Sequence, residues 1–168
     1  MVKKQRRKIV LNMDAYQLRI ANIIEESIVD GPGIRFVIFV QGCPHHCLNC
    51  HNKGTHSFDG GTFISLQSLF NKIMENPLLD GVTFSGGEPF VQSEALAILG
   101  SAIKEAGLNL MTYTGYTLEQ LREDKEPYWA ALLAVTDILV DGPYIEEEKS
   151  MLEPFKGSAN QRIITLKN

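Results

Sequence analysis

Three cysteines, Cys43, Cys47 and Cys50, fall within eight residues of one another, and the chain of 168 residues has no other. Their spacing, C-x3-C-x2-C, puts three thiolates on one short loop. An odd, crowded set is a poor disulfide framework, and ligation is the chemistry such a loop serves. Two centres suit these residue types. A cubane iron–sulfur cluster ordinarily takes four cysteines, so three would leave one iron open to a small molecule. A structural zinc would need a fourth ligand, which His45, His46, His51 or His56 could supply. Three unligated, buried cysteines fit this density poorly.

Composition narrows the setting. With 44% hydrophobic and 21% charged residues, the chain can bury one substantial core. It is too short for a complete eightfold α/β barrel, which takes about 250 residues. The longest apolar runs, 36–40 and 130–135, fall short of a bilayer span, and no apolar stretch follows the basic start as a secretory signal requires. The expectation is a soluble, cytoplasmic protein with no membrane partner. The net charge of −4 is uneven: Lys3, Lys4, Arg6, Arg7 and Lys8 lie in a segment without acids, leaving 11 bases against 20 acids elsewhere. So acidic a body argues against nucleic acid as a partner. Residues 1–13 read as a basic, poorly ordered tail, and 14–168 as a single domain.

The elements that must position the cysteines alternate in type. The run 34–40, rich in β-branched and aromatic residues, follows the turn Asp30-Gly31-Pro32-Gly33 and reads as a strand buried on both faces. Ser65 could cap a helix with an apolar stripe at Leu66, Leu69, Phe70, Ile73 and Met74, ending at Asn76-Pro77. Further strands are expected at 81–85, 108–112, 137–140 and 162–166, with another near 18–24. Between them, Ser93 opens a helix closed by Gly107, Thr117 and Gln120 form a capping box, and 128–135 is helical. Strands alternating with helices imply a mainly parallel sheet of five or six strands with its site at the carboxyl ends. Those ends carry the cysteines, Gly86-Gly87-Glu88, Tyr113-Thr114-Gly115 and Asp141-Gly142.

The cysteine spacing and the following Gly86-Gly87-Glu88-Pro89 together resemble the radical S-adenosylmethionine (SAM) enzymes. The resemblance implies an α/β fold, a partial, open β/α barrel. It implies a [4Fe-4S] cluster on Cys43, Cys47 and Cys50, whose fourth iron chelates SAM. Gly86 and Gly87 would let backbone approach that ligand, and Glu88 would hold its ammonium group. Many members carry an aromatic residue before the last cysteine, where this chain has Asn49, so contact with the adenine would come from backbone groups of Asn49 and His51. His45, His46 and His56 remain surface residues or supports of the ligands.

The turn Asp30-Gly31-Pro32-Gly33 is similar to that of glycyl-radical-activating enzymes. Cys50-His51-Asn52-Lys53, Tyr113-Thr114-Gly115-Tyr116, Leu139 to Pro143 and Gly157 to Ile163 resemble the branch that activates the anaerobic ribonucleoside-triphosphate reductase. This implies an oxidoreductase that cleaves SAM reductively and takes a hydrogen atom from a glycine of that reductase, with flavodoxin or a similar low-potential donor supplying the electron. A pyruvate formate-lyase-type activase is the alternative, and a zinc- or cluster-stabilised binding module without catalysis is a further one. Too few strands to close a barrel would leave the rim open to a protein loop. Asp141 could touch that loop or a bound ion, or only form a turn. Tyr113 and Thr114 could border the ligand or simply pack, and Asn160, Gln161 and Arg162 follow the resemblance without a role.

Overall fold

The apolar run after the Asp30 turn forms β2 (Arg35–Val40), and five of its six residues are buried. The computed structural model describes residues 13–166, in which β2 lies inside a single seven-stranded sheet. The other strands are β1 (Gln17–Ser27), β3 (Thr62–Ser65), β4 (Gly81–Gly86), β5 (Asn109–Tyr113), β6 (Ile138–Asp141) and β7 (Arg162–Thr165), in the order β3-β1-β2-β4-β5-β6-β7. The ends of the sheet do not meet, so it is an open, mixed α/β architecture. The basic tail expected at 1–13 lies outside the described residues except for Met13, which opens a short 3-10 turn and packs on the core.

The expected sheet needs two corrections. It has seven strands rather than five or six, because β3 is four residues long and its alternation is too brief to stand out. It is also not mainly parallel: β2–β4, β4–β5 and β5–β6 are parallel, while β1–β2, β1–β3 and β6–β7 are antiparallel. For β1 and β2 the reason lies in the connection. A parallel pair needs a crossover of a dozen or more residues, usually helical, whereas the short segment between β1 and β2 can only fold back as a hairpin. The helical crossovers sit between the four central strands, and there the parallel expectation holds.

Those crossovers are α1 (Leu66–Glu75), α2 (Ser93–Glu105), α3 (Leu118–Glu123) and α4 (Pro127–Val135). Ser65 caps α1 by accepting from the Ser68 N–H, and Thr117 and Gln120 form the reciprocal capping box on α3. Leu66, Leu69 and Ile73 of α1 and Leu96, Leu99 and Ile103 of α2 join Phe36, Ile38, Phe84, Leu110 and Leu139 of the sheet in one core.

On the other face, the chain entering β2 is anchored by a buried arginine. Arg35 is 1% exposed. Its Nε donates to Thr83 Oγ1 (2.7 Å), Nη2 to the Val82 carbonyl (2.7 Å) and Nη1 to the Pro32 carbonyl (3.1 Å). Burial pushes the Arg35 pKa down from its ordinary value. Thr83 Oγ1 in turn donates to the Asp30 carbonyl, so the turn before β2 lies back across the sheet face.

Candidate functional site

The carboxyl ends of β2, β4, β5 and β6 form one rim. At the end of β2 the chain turns at Gly42, with φ of +100°, and enters the cysteine loop. The loop's return is stitched beneath it: Gly42 N–H donates to the Thr55 carbonyl (2.7 Å) and Cys43 N–H to the His56 carbonyl (3.1 Å). Gln41 Nε2 reaches the carbonyls of Gly54 and Ser57. His46 and Asn49 both adopt positive φ, 50° and 53°, which curls the loop upon itself.

Cys43 is buried and Cys47 and Cys50 are half-buried. Burial pushes the Cys43 thiol up to about 11; a coordinating metal deprotonates such a thiol outright. The Asn52 N–H donates to Cys50 Sγ at 3.4 Å, the type of bond that tunes cluster sulfurs. Among the described residues, no three His, Cys, Asp or Glu side chains gather closely enough to hold a single metal ion. Cys43, Cys47 and Cys50 are soft thiol donors on one curled loop, the donor type that suits an iron–sulfur cluster or zinc.

The glycine turn ending β4 lies directly against this loop. Gly87 N–H donates to the Val40 carbonyl and Glu88 N–H to the Gly42 carbonyl, both at 2.8 Å. Gly86 has φ of +95°, and a Cβ on Gly87 would lie 2.3 Å from the Gly42 carbonyl oxygen. Bare backbone is therefore demanded here by the cysteine loop itself.

Glu88 is wholly buried. Its carboxylate accepts from Phe90 N–H (3.0 Å), Gly115 N–H (2.9 Å) and Thr114 Oγ1 (3.0 Å), with His45 Nε2 2.7 Å away. The side chain expected to face a ligand's ammonium group is thus engaged within the protein. Asn49 is exposed, with its Oδ1 accepting from Lys53 Nζ (3.3 Å), and the exposed His51 ring lies 5.1 Å from Tyr144.

Tyr113 is driven above its ordinary pKa by burial and by Asp30. Asp141, 1% exposed, pairs with Arg162 and accepts from the Leu118 N–H. Gln161 spans its neighbours, accepting from Gly157 N–H and donating to the Gly142 carbonyl, while Asn160 Nδ2 donates to the Pro143 carbonyl.

Beside them opens a cavity of about 1070 Å³, lined by Cys50, His51 and Asn52, by Tyr113 and Tyr144, and by residues of the loop 149–157. Exposed Ile28 and Val29 line it, as does Met151, 92% exposed. Sequence reading left His45 and Thr114 without a firm role. The only signal for His45 was its place between two cysteines.

Comparison with known proteins agrees with the rim. Residues 29–164 match the family of 4Fe-4S single cluster domains. Thus the fold and the loop define an iron–sulfur single-cluster protein. A Vibrio cholerae anaerobic ribonucleoside-triphosphate reductase-activating protein is 35% identical over 147 residues, 82% of this chain and 91% of that one. Its Haemophilus influenzae counterpart is 30% identical over 151 residues, with the same two coverages. The pyruvate formate-lyase-activating enzyme of Clostridium pasteurianum is 36% identical over 137 residues, but these span only 54% of its length. The chain belongs to the family of anaerobic ribonucleoside-triphosphate reductase-activating proteins.

Proposed function

We propose that the protein is a radical SAM activase that generates a glycyl radical on the anaerobic ribonucleoside-triphosphate reductase. The observation that carries this reading is the contact between the cysteine loop and the Gly86–Gly87 turn, beside a cavity lined by Cys50, His51, Asn52 and Ser85. Cys43, Cys47 and Cys50 would hold three irons of a [4Fe-4S] cluster, and the open iron would take SAM. When bound, the pair would supply one-electron reductive cleavage of SAM and hydrogen-atom abstraction from the partner's glycine.

The chain's own residues do the rest. Backbone of Gly86 and Gly87, with that of Asn49, Cys50 and His51, would border the SAM ligand. Glu88 contributes through the turn it braces rather than by a free carboxylate oxygen. The cavity, of about 1070 Å³ and open to solvent, lies at the upper end of the range for small-ligand sites, and its open side is where a chain segment of a second protein would approach. A flavodoxin or similar low-potential carrier would supply the electron at the exposed side of the cysteine loop.

The test mixes anaerobically reconstituted protein, SAM, reductant and the reductase, and records electron paramagnetic resonance. A glycyl doublet is expected. SAM cleavage without the doublet would reject the assigned partner, and a doublet only with pyruvate formate-lyase would transfer the assignment to that enzyme. Colourless protein with stoichiometric zinc after anaerobic preparation would reject the activase reading itself.

A further inference from the structure

Glu88 is the point where three pieces of the rim meet. Phe90 N–H belongs to its own turn, Thr114 Oγ1 and Gly115 N–H come from the end of β5, and His45 reaches it from the cysteine loop. His45 is the one side chain of residues 43–50 bonded to either neighbouring turn among the described residues, and it lies between Cys43 and Cys47.

The imidazole is held on its other sides as well. Its ring meets Tyr116 edge-on at 4.5 Å, and Tyr116 lies 4.8 Å from Trp129. Trp129 Nε1 donates to the Phe90 carbonyl at 2.9 Å, returning the chain of contacts to the Glu88 turn. A Cβ on Gly115 would lie 2.5 Å from the His45 ring, so that glycine leaves the slot the imidazole fills. A buried carboxylate whose oxygens are met by several donors is a rigid anchor, and losing one donor loosens what the donor carried.

We infer that His45 is a positioning residue: its bond to Glu88 sets the cysteine loop against the Gly86–Gly87 and Thr114–Gly115 turns, and so aligns cluster-bound SAM with the backbone that receives it. The inference rests on the activase reading for what is aligned, and on the geometry of this chain for the latch itself. A histidine that only fills space would be replaceable without effect on either.

Four variants of the full-length protein test it: His45→Ala, His45→Gln, Thr114→Val and the double variant His45→Ala/Thr114→Val. SAM is titrated against the resonance spectrum of the reduced, reconstituted cluster. His45→Ala is expected to raise the half-saturating SAM concentration about tenfold, the scale of one hydrogen bond to a charged group, with iron content unchanged. The Gln amide can reach the position of Nε2, so His45→Gln should stay within about threefold of the unaltered protein. Thr114→Val should weaken SAM binding too, and the double variant should lose less than the product of the single losses, since both act through Glu88.

Amide exchange over 43–50 and 86–88, measured on the same variants without cluster, is expected to quicken about tenfold in His45→Ala and to recover in His45→Gln. Unchanged exchange in His45→Ala, a His45→Gln variant as impaired as His45→Ala, or fully multiplicative losses would overturn the latch. If the unaltered protein binds cluster yet ignores SAM, the activase reading falls while the exchange comparison still decides the latch. If His45→Ala fails to load iron, Thr114→Val and the exchange rates decide it.

Discussion

Asp141 and Arg162 are cross-strand partners in the β6–β7 register, and their side chains are paired as well as their backbones: Arg162 Nε donates to Asp141 Oδ1 at 2.9 Å. The same guanidinium reaches Glu119 through Nη1 and Nη2, at 3.1 and 2.7 Å. One arginine thus fixes the last strand to the start of α3, whose Leu118 N–H is bonded to Asp141.

Arg162→Ala should lower the denaturant midpoint, and the loss should depend on pH. The arginine holds the Glu119 carboxyl down to about 2, from 4.5. A depressed carboxyl stabilises the fold above its unfolded value and ceases to do so as pH falls through its folded value. The difference between the two proteins should therefore be full at pH 6 and shrink as pH falls from about 4.5 towards about 2. Urea titrations across that window measure it. A constant difference would exclude the Glu119 contribution.

Gly87→Ala should destabilise the protein by about 2 kcal/mol, because its new methyl has backbone oxygen, not a yielding side chain, 2.3 Å away. Gly54→Ala is the control, since nothing lies within 4 Å of a Cβ there. It should fall within about 0.5 kcal/mol of the unaltered protein. Equilibrium denaturation of both distinguishes a crowded turn from a tolerant one.

In metal-free protein, Cys43, 8% exposed, should be alkylated well after the half-buried Cys47 and Cys50, as read by peptide mass spectrometry. Cys47→Ala should abolish the visible charge-transfer absorption after anaerobic reconstitution. The circular dichroism of the metal-free variant should match that of the parent, since the loop lies outside the core.

Arg35→Met should cost about 3 kcal/mol, because it strips the Val82 and Pro32 carbonyls and Thr83 Oγ1 of a donor inside the protein. The loss should appear in urea denaturation, and limited proteolysis should quicken at the turn 28–34.

The central architecture was legible because its signals are local and strong. The run at 34–40 is apolar enough to announce a buried strand, and Ser65, Thr117 and Gly107 mark helix ends by side-chain or backbone chemistry that works within one turn. The gathering of the cysteines, Gly86–Glu88, Thr114–Gly115 and Asp141 at one rim followed from parallel order in β2, β4, β5 and β6. What escaped depends on distant partners. Strand β3 exists through its pairing with β1, and its four residues carry little pattern of their own. The engagement of Glu88 by Thr114, Gly115 and His45 spans 26 to 43 positions along the chain, which no motif spacing encodes.

The two outer strands, β3 and β7, are each only four residues long and pair antiparallel to their single neighbours. Long, flat sheet borders invite pairing with another copy and so aggregation, and brevity is one way proteins prevent it. The sheet therefore offers a stranger little backbone to zip onto along its borders. Its unsealed cavity sits elsewhere, at the strand tips. A molecule built in this way can keep a wide mouth in a crowded cell without turning sticky along its sides.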